Sequence, residues 1–396
     1  MSNQTQEHPN SQLSTKKPGV IVIEGHVQGL ANTRLLGKAG IPVIVVDKDN
    51  CVARYSKYCR KYFRCPDYQT DEFVDFLLRL HRAEGLQDWL LLPSNDHAVY
   101  TISKHKDRLA KCYKVITEDI GVIERIYNKR ELLQLALGAG IPIPSTFFPL
   151  EKNPDAVDLR YPVLIKGNNG LSFYKRWRHK AIAAENDSDL QRLLRNQLAG
   201  VRPDEYFVQE LIPDKHKTVS VTVFAVKGEV YSHWAGVKLR SHPISFGTAT
   251  CCQSVYDAEM LELSKKLISK LNYTGVCEIE WLRDPRDNEP KLIEINARTW
   301  LWVGLAAKCG VNYPLQIWNY LVKRKLPSEV QYATGEIWLN LYTDTFYSLK
   351  LMLKRLASPK EILASYRSFH EACWDWRDPL PFFMYGALLL SFLRRR

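Results

Sequence analysis

Two neighbouring segments carry the side chains best suited to chemistry. In Val276-Cys277-Glu278-Ile279-Glu280-Trp281 and Leu292-Ile293-Glu294-Ile295-Asn296-Ala297-Arg298, polar and apolar residues alternate. Glu294 and Asn296 are two residues apart, so they share one face of a strand. Glu280 falls on the partner strand of a hairpin whose turn holds Asp284, Pro285, Asp287 and Asn288. Three oxygen donors converging on one sheet face suit Mg2+, which takes a few carboxylates and completes its shell with phosphate oxygens. Mn2+ accepts the same donors. Arg298 continues that face and can hold a second anion beside a metal–phosphate cluster. The competing reading is a strand edge with ordinary solvated charges. The apolar residues around Glu294 and Asn296 weigh against it.

Two lysines form a second group. Lys129 opens a helical stretch running to Leu137, at its positive end. Lys166 closes the apolar run Pro162-Val163-Leu164-Ile165. A lysine at the end of a buried strand is costly unless it meets an anion, and two of them can grip phosphates as point charges. Each taken alone is equally well read as a snorkelling surface lysine. Gly167 and Gly170 follow and can form a small phosphate-covering loop. The segment Val208-Gln209-Glu210-Leu211-Ile212-Pro213 reads as a strand running into a linker. Its main chain can meet the edge of an adenine.

The elements that position these groups are legible as an α/β region followed by an α+β region. Val20–Ile23 and Ile41–Val46 are apolar runs of buried-strand type, with Gly25, Gly29 and a helix over Leu30–Ala39 between them. A helix over Phe73–Arg82 and a strand over Trp89–Leu92 follow. Ligands collect at the carboxyl ends of such strands. The turns at Gly25–Gly29 and at Ser94, Asn95 and Asp96 are therefore site candidates. Farther on, Tyr161–Lys166 and Tyr206–Leu211 read as strands. Val219–Val226, Glu229–Ala235 and Thr248–Val255 alternate as antiparallel strands, and Met260–Leu271 is an amphipathic helix. The chain after Pro327 reads as a helical appendage, with Trp374 and Trp376 pinning it to the body. Trp300, Trp302 and Trp318 are expected in the core. The domains are placed at 1–17 (a disordered polar leader), 18–120, 121–325 and 326–396.

Composition narrows the class. A chain of 396 residues spans two or three domains and buries a core without staples. Nine cysteines, without a CxxC pair, argue against a disulfide framework or a zinc site and favour a reducing, cytoplasmic setting. A net charge of +12 suits polyanions without choosing among them. No apolar run reaches the ~20 residues that cross a bilayer. The nearest, Leu380 to Leu393, ends in Arg394, Arg395 and Arg396. It reads either as an amphipathic helix packed on the protein or as a peripheral contact with anionic lipid. A homodimer is the default assembly.

These pieces, in this order, resemble the ATP-grasp superfamily over about residues 18–325. The resemblance rests on Lys129 with Ala139-Gly140-Ile141-Pro142-Ile143-Pro144, on Pro162–Lys166, and on Gln209-Glu210-Leu211-Ile212. It rests further on Lys238-Leu239-Arg240 with Phe246-Gly247-Thr248, and most specifically on Glu294-Ile295-Asn296-Ala297-Arg298. Within the superfamily the chain looks most like stand-alone carboxylate–amine ligases related to the carbamoyl-phosphate synthase large chain and D-aspartate ligase. The resemblance implies a Rossmann-like pre-ATP-grasp domain, a two-lobed ATP-grasp domain and an ADP-forming ligase. Its substrates would be a small carboxylate and an amine, with no nucleic acid involved. Lys129, Lys166, Gly167 and Gly170 would serve the ATP phosphates, and Gln209, Glu210 and Ile212 the adenine. Glu280, Glu294 and Asn296 would hold Mg2+. Lys238 and Arg240 would bind the carboxylate being activated, and Arg298 would steady the acyl phosphate. Two features depart from the pattern. The glycine loop shrinks to Gly167-Asn168-Asn169-Gly170 before Tyr174-Lys175-Arg176-Trp177-Arg178, and no acid for the ribose hydroxyls is obvious near Asp214. A descendant that binds nucleotide without catalysis is therefore an alternative.

Two other readings fit less of the chain. The opening βαβ unit with Asp47 imitates a nicotinamide-dinucleotide site, but it lacks GxGxxG and leaves Glu294–Arg298 unexplained. The aromatic and basic stretch Tyr174–Lys180 imitates a single-strand nucleic-acid platform. A basic lid or a solvated face accounts for it better.

Overall fold

The computed structural model describes residues 17–149, 159–169, 173, 181–213, 218–242 and 247–393. Five parallel strands open the chain: β1 (Val20–Ile23), β2 (Val43–Asp47), β3 (Cys59–Arg64), β4 (Trp89–Pro93) and β5 (Tyr113–Val115). They lie in the order β3-β2-β1-β4-β5. Residues of β1, β2 and β4 are buried on both faces, as a parallel sheet requires. Ile21, Ile23, Ile44, Val46 and Leu91 face Phe73, Val74 and Leu77 of the helix Asp71–Glu84. Val20, Val22, Val43, Val45, Leu90 and Leu92 share the opposite core with Trp300, Trp302 and Trp318. The first sheet thus packs directly on the later part of the chain. The expected β1, β2, β4 and the helix between them are present. The reading passed over β3, because Arg60, Lys61 and Arg64 break its apolar run on an edge strand.

The order reverses at β1, which opens a crevice at the carboxyl ends of β1 and β4. The chain turns there within Glu24–Gly29. A Cβ on Gly29 would lie 2.1 Å from the Glu24 carbonyl oxygen, so no larger residue fits the turn.

Two further sheets face each other beyond this region. One contains β6 (Thr146–Phe147), β7 (Val163–Gly167), β8 (Ile182–Ala184) and β9 (Tyr206–Glu210), in the order β6-β9-β7-β8. The helix Asp187–Asn196 covers its Val163, Ile165 and Val208 face with Leu190 and Leu193. Leu164, Lys166 and Gln209 are left on the other face, with Leu164 paired to Gln209.

The second sheet runs β14-β13-β10-β11-β12-β15-β16. Its strands are β10 (Val219–Val226), β11 (Glu229–His242), β12 (Thr248–Val255), β13 (Gly275–Arg283), β14 (Pro290–Asn296), β15 (Ile337–Leu339) and β16 (His370–Glu371). Strand β11 is twice as long as its apolar run suggested and carries Lys238 and Arg240. The helix Ala258–Leu271 buries Met260, Leu267 and Ile268 against Cys277, Ile279 and Ile295.

The tail is helical over Leu341–Leu353, Pro359–Ser365 and Leu380–Leu393. It also supplies β15 and β16, which the helical reading missed. Trp374 and Trp376 do not pin it: they are 47% and 73% exposed. Charge does this instead. The buried Asp378 carboxylate accepts from Arg34 Nε (2.9 Å), Ser56 Oγ (2.6 Å) and the Lys57 backbone N–H (2.9 Å). Arg240 makes a two-pronged pair with buried Asp344, at 2.9 and 2.7 Å. The first tie reaches the helix Val27–Lys38 and the loop before β3, and the second reaches β11, so the tail straps the two regions together. Among the described residues no helix is long and apolar enough to cross a membrane. All nine cysteines are free thiols, and Cys251 and Cys252 are buried in β12.

Removing Asp378 leaves the Arg34 guanidinium buried without its carboxylate. Asp378→Ala should cost about 3–5 kcal/mol of unfolding free energy. Urea unfolding checks this, and a loss below roughly 1 kcal/mol would show that the strap is not held by charge.

Candidate functional site

The hairpin β13–β14 sets the centre of the site. Its register places Glu280 opposite Glu294 and Glu278 opposite Asn296. All four polar side chains stand on one face, while Ile279, Trp281, Leu292 and Ile295 fill the core on the other. Such crowding of acids on a sheet is unfavourable unless cations reach it. Three arrive from different elements. Lys129, at the start of the helix Lys129–Gly138, donates to Glu294 Oε2 at 2.8 Å. Lys238 on β11 donates to Glu280 Oε1 at 2.7 Å. Arg298, just past β14, forks onto both oxygens of Asp96 at 2.9 and 3.0 Å. Asp96 itself starts the helix that follows β4. The Asn296 amide nitrogen spans Glu278 Oε2 (3.1 Å) and Glu280 Oε1 (3.4 Å).

The pairing shows in the protonation of these groups. Burial would lower the Lys129 and Lys238 ammonium groups, but the facing carboxylates outweigh it and hold both raised. Burial, and then the Glu280 charge, push the Glu278 carboxyl up. Lys166 behaves differently. Burial and repulsion from Lys129 lower it to about 7, against a weaker pull from Glu294. Its Nζ donates to Gln209 Oε1 at 2.8 Å, and Gln209 Nε2 donates to Thr146 Oγ1 at 2.9 Å.

The loop after Lys166 is drawn over the helix start. The Lys129 backbone N–H donates to the Asn168 carbonyl at 2.9 Å, and Asn128 bridges Asn169. Gly167 is obligatory, since a Cβ there would lie 2.3 Å from Phe173 Cβ. Gly170 and the stretch Tyr174–Lys180 lie outside the described residues, as do Asp214 and Phe246.

Glu210 closes β9 at the hinge between the facing sheets. Its carboxylate accepts from the Ser145 N–H at 2.8 Å and from Arg286 at 2.7 Å. A cavity of about 430 Å3 beside it is lined by Ser145, Thr146, Asp284, Arg286 and Lys291. With the Glu210 side chain so engaged, what the hinge can offer a ligand is its main chain and the buried Ile212 side chain.

The structure therefore brings Lys129, Lys166, Glu280, Glu294, Asn296, Lys238 and Arg298 around one cleft between facing sheets. Arg240 is turned to other work. A β-bulge separates it from Lys238, and its guanidinium is held by Asp344 and by Ser365 Oγ at 2.8 Å. Two residues of the cleft went unassigned in the sequence. Glu278 was visible in the hairpin alternation. Glu24 was hidden because the turn was read from its glycines alone. Glu24 sits at φ 70°, accepts from Gln28 at 2.9 Å, and is pushed up to about 8 by burial and then by Asp47.

The donor set fits a divalent cation. Hard carboxylate and amide oxygens cluster on one face. Among the described residues no group of three or more His, Cys, Asp or Glu side chains could by itself hold a metal ion.

No family model matches the chain. A curated protein, D-aspartate ligase from Enterococcus faecium (strain Aus0004), is 24% identical over 318 residues, covering 74% of this chain and 75% of its own. The structure of L-amino acid ligase from Bacillus licheniformis aligns at a TM-score of 0.58 and 15% identity, over 78% of this chain and 75% of that one. N5-carboxyaminoimidazole synthetase from Staphylococcus aureus, complexed with ADP, aligns at 0.62 and 16% identity, over 86% and 89%.

Because Lys129 repels Lys166, Lys129→Met should raise the Lys166 pKa above its value of about 7. NMR titration of 13C-methylated lysines reads this directly. An unmoved or lowered value would mean that the two ammonium groups do not share the cleft.

Proposed function

We propose that this chain, which has the ATP-grasp fold, is an ATP- and Mg2+-dependent ligase that joins a carboxylate to an amine and releases ADP and phosphate. The observation that carries the reading is the gathering of two lysines at one acidic sheet face: Lys129 bonds Glu294, and Lys166 lies close enough to feel both charges. Lys166 and Gln209 stand on one sheet; Glu280, Glu294 and Asn296 stand on the other, with Lys129 reaching in at the edge.

ATP takes the cleft with its adenine at the hinge, against Ile212 and the main chain of Gln209 and Glu210. Its phosphates lie between Lys129 and Lys166, beside Gly167. Glu280, Glu294 and Asn296 would hold Mg2+, which when bound neutralises phosphate charge. Lys238 receives the substrate carboxylate. Arg240 positions the strand that carries Lys238, through its buried pair with Asp344.

A carboxylate is a poor electrophile because oxide cannot leave. Its oxygen attacks the γ-phosphorus, the bond to the ADP oxygen breaks, and an acyl phosphate forms. The amine then adds to the acyl carbon, phosphate departs and the amine loses a proton. The protein's contribution is alignment and charge neutralisation. Arg298, fixed by its fork on Asp96, faces the acyl phosphate, and the loop over the cleft keeps water from it. The crevice at Glu24 and at Ser94, Asn95 and Asp96 takes the second substrate. Lys238 favours a substrate with a carboxylate, such as an amino acid, in keeping with the names of the D-aspartate and L-amino acid ligases.

Calorimetric titration with a non-hydrolysable ATP analogue tests the site. Binding should require Mg2+ and should weaken at least roughly tenfold in Glu294→Ala/Asn296→Ala. Affinity that ignores both Mg2+ and the substitutions would contradict the assignment. Binding intact without turnover of any acid and amine would mark a nucleotide-binding descendant.

A further inference from the structure

The tail carries an exposed apolar face unrelated to the cleft. On the helix Leu341–Leu353, Phe346, Leu349 and Leu353 fall on one side, since positions three to four and seven apart coincide on a helix. Leu356 follows at the helix end, and Leu363 projects from the helix Pro359–Ser365. These five side chains are 53–78% exposed. The mounting beneath them is firm. Asp344, Tyr347, Ser348 and Leu351 bury the opposite side of the first helix, and Ile362 and Ser365 that of the second. Asp344 accepts from Arg240, Thr250, Ser348 and Tyr366. Loose packing therefore does not explain why large apolar groups stand in water.

The charge around the face is one-sided. Between Thr345 and Phe369 the exposed ionic residues are Lys350, Lys354, Arg355, Lys360 and Arg367, with Glu361 as the lone acid. A second copy of this chain laid on the face about a twofold axis would press these cations against their own images, which is repulsive. An anionic lipid surface has the opposite character. It attracts the cations and accepts the apolar side chains at the level of its headgroups. We propose that this face of the tail docks the protein on an anionic bilayer surface, lying on it without crossing. The contact combines shallow apolar insertion with lysine and arginine attraction, and neither part suffices alone. Nothing in this surface depends on the nucleotide cleft, so it stands or falls separately from the ligase reading.

The test is sedimentation of the full chain with vesicles of phosphatidylserine mixed into phosphatidylcholine, against phosphatidylcholine alone. The wild type should pellet with the mixed vesicles only, and less so as salt rises. Phe346→Ser/Leu353→Ser and, separately, Lys350→Glu/Lys354→Glu/Arg355→Glu should each lower the partition about tenfold or more. Thermal melts confirm that both variants are folded. Failure of the wild type to pellet, or equal pelleting on both vesicle types, would overturn the proposal. Pelleting that survives both sets of substitutions would also overturn it, because the contact would then lie elsewhere. A dimer in light scattering that Phe346→Ser/Leu353→Ser dissolves, without vesicle binding, would assign the face to self-association.

Discussion

The cleft is organised by one constraint: acidic side chains crowded on a single sheet face must be answered from elsewhere, Glu280 and Glu294 by lysines and Glu278 by Ser220 and Asn296. Glu278, Glu280 and Glu294 stand together because the hairpin register leaves them no choice. Removing charges from water is expensive, and the cost is offset only when partners meet them in good geometry. Lys129 and Lys238 provide such partners at 2.8 and 2.7 Å. Lys129 is delivered by a helix capped by Asn128, and Lys238 by the long strand β11. In the proposed reading the same face would hold Mg2+ and the ATP phosphates.

The constraint extends outward through Arg298. Its fork onto Asp96 joins the end of β14 to the crevice of the first sheet. Asn32 reinforces the junction by donating to Thr299 Oγ1 at 2.9 Å, and the tryptophan core lies under it. In the proposed reaction the nucleotide side and the acceptor side must meet to within a bond length. A shared core and a part-buried ion pair hold them in register. The tail adds a second brace, since Asp378 binds the helix Val27–Lys38 beside the first sheet while Asp344 binds β11.

How much of this was legible depended on the range of the interaction. Glu294 and Asn296 were readable because strand alternation is local: two residues apart means one face. Lys166 was readable because a cation ending an apolar run is costly. The fate of Arg240 was not readable, because Asp344 lies 104 residues away and a β-bulge breaks the alternation that would have kept Arg240 beside Lys238. Strand β3 was missed because edge strands carry charge, and β15 and β16 because strands of three and two residues have no period to detect. Glu24 took its role from the fold of the turn, since its burial comes from packing that no spacing encodes. Trp374 and Trp376 misled in the opposite sense, because size suggested anchoring where charge does the anchoring.

The central claim is that a carboxylate is activated as an acyl phosphate within this cleft. The most direct measurement follows oxygen. The purified chain is given ATP, Mg2+, an amine and a panel of amino acids and other small acids labelled with 18O in the carboxylate, and the products are read by 31P NMR. The account predicts ADP with inorganic phosphate that carries one 18O from the acid. AMP with pyrophosphate, or phosphate free of label despite ligation, would contradict it.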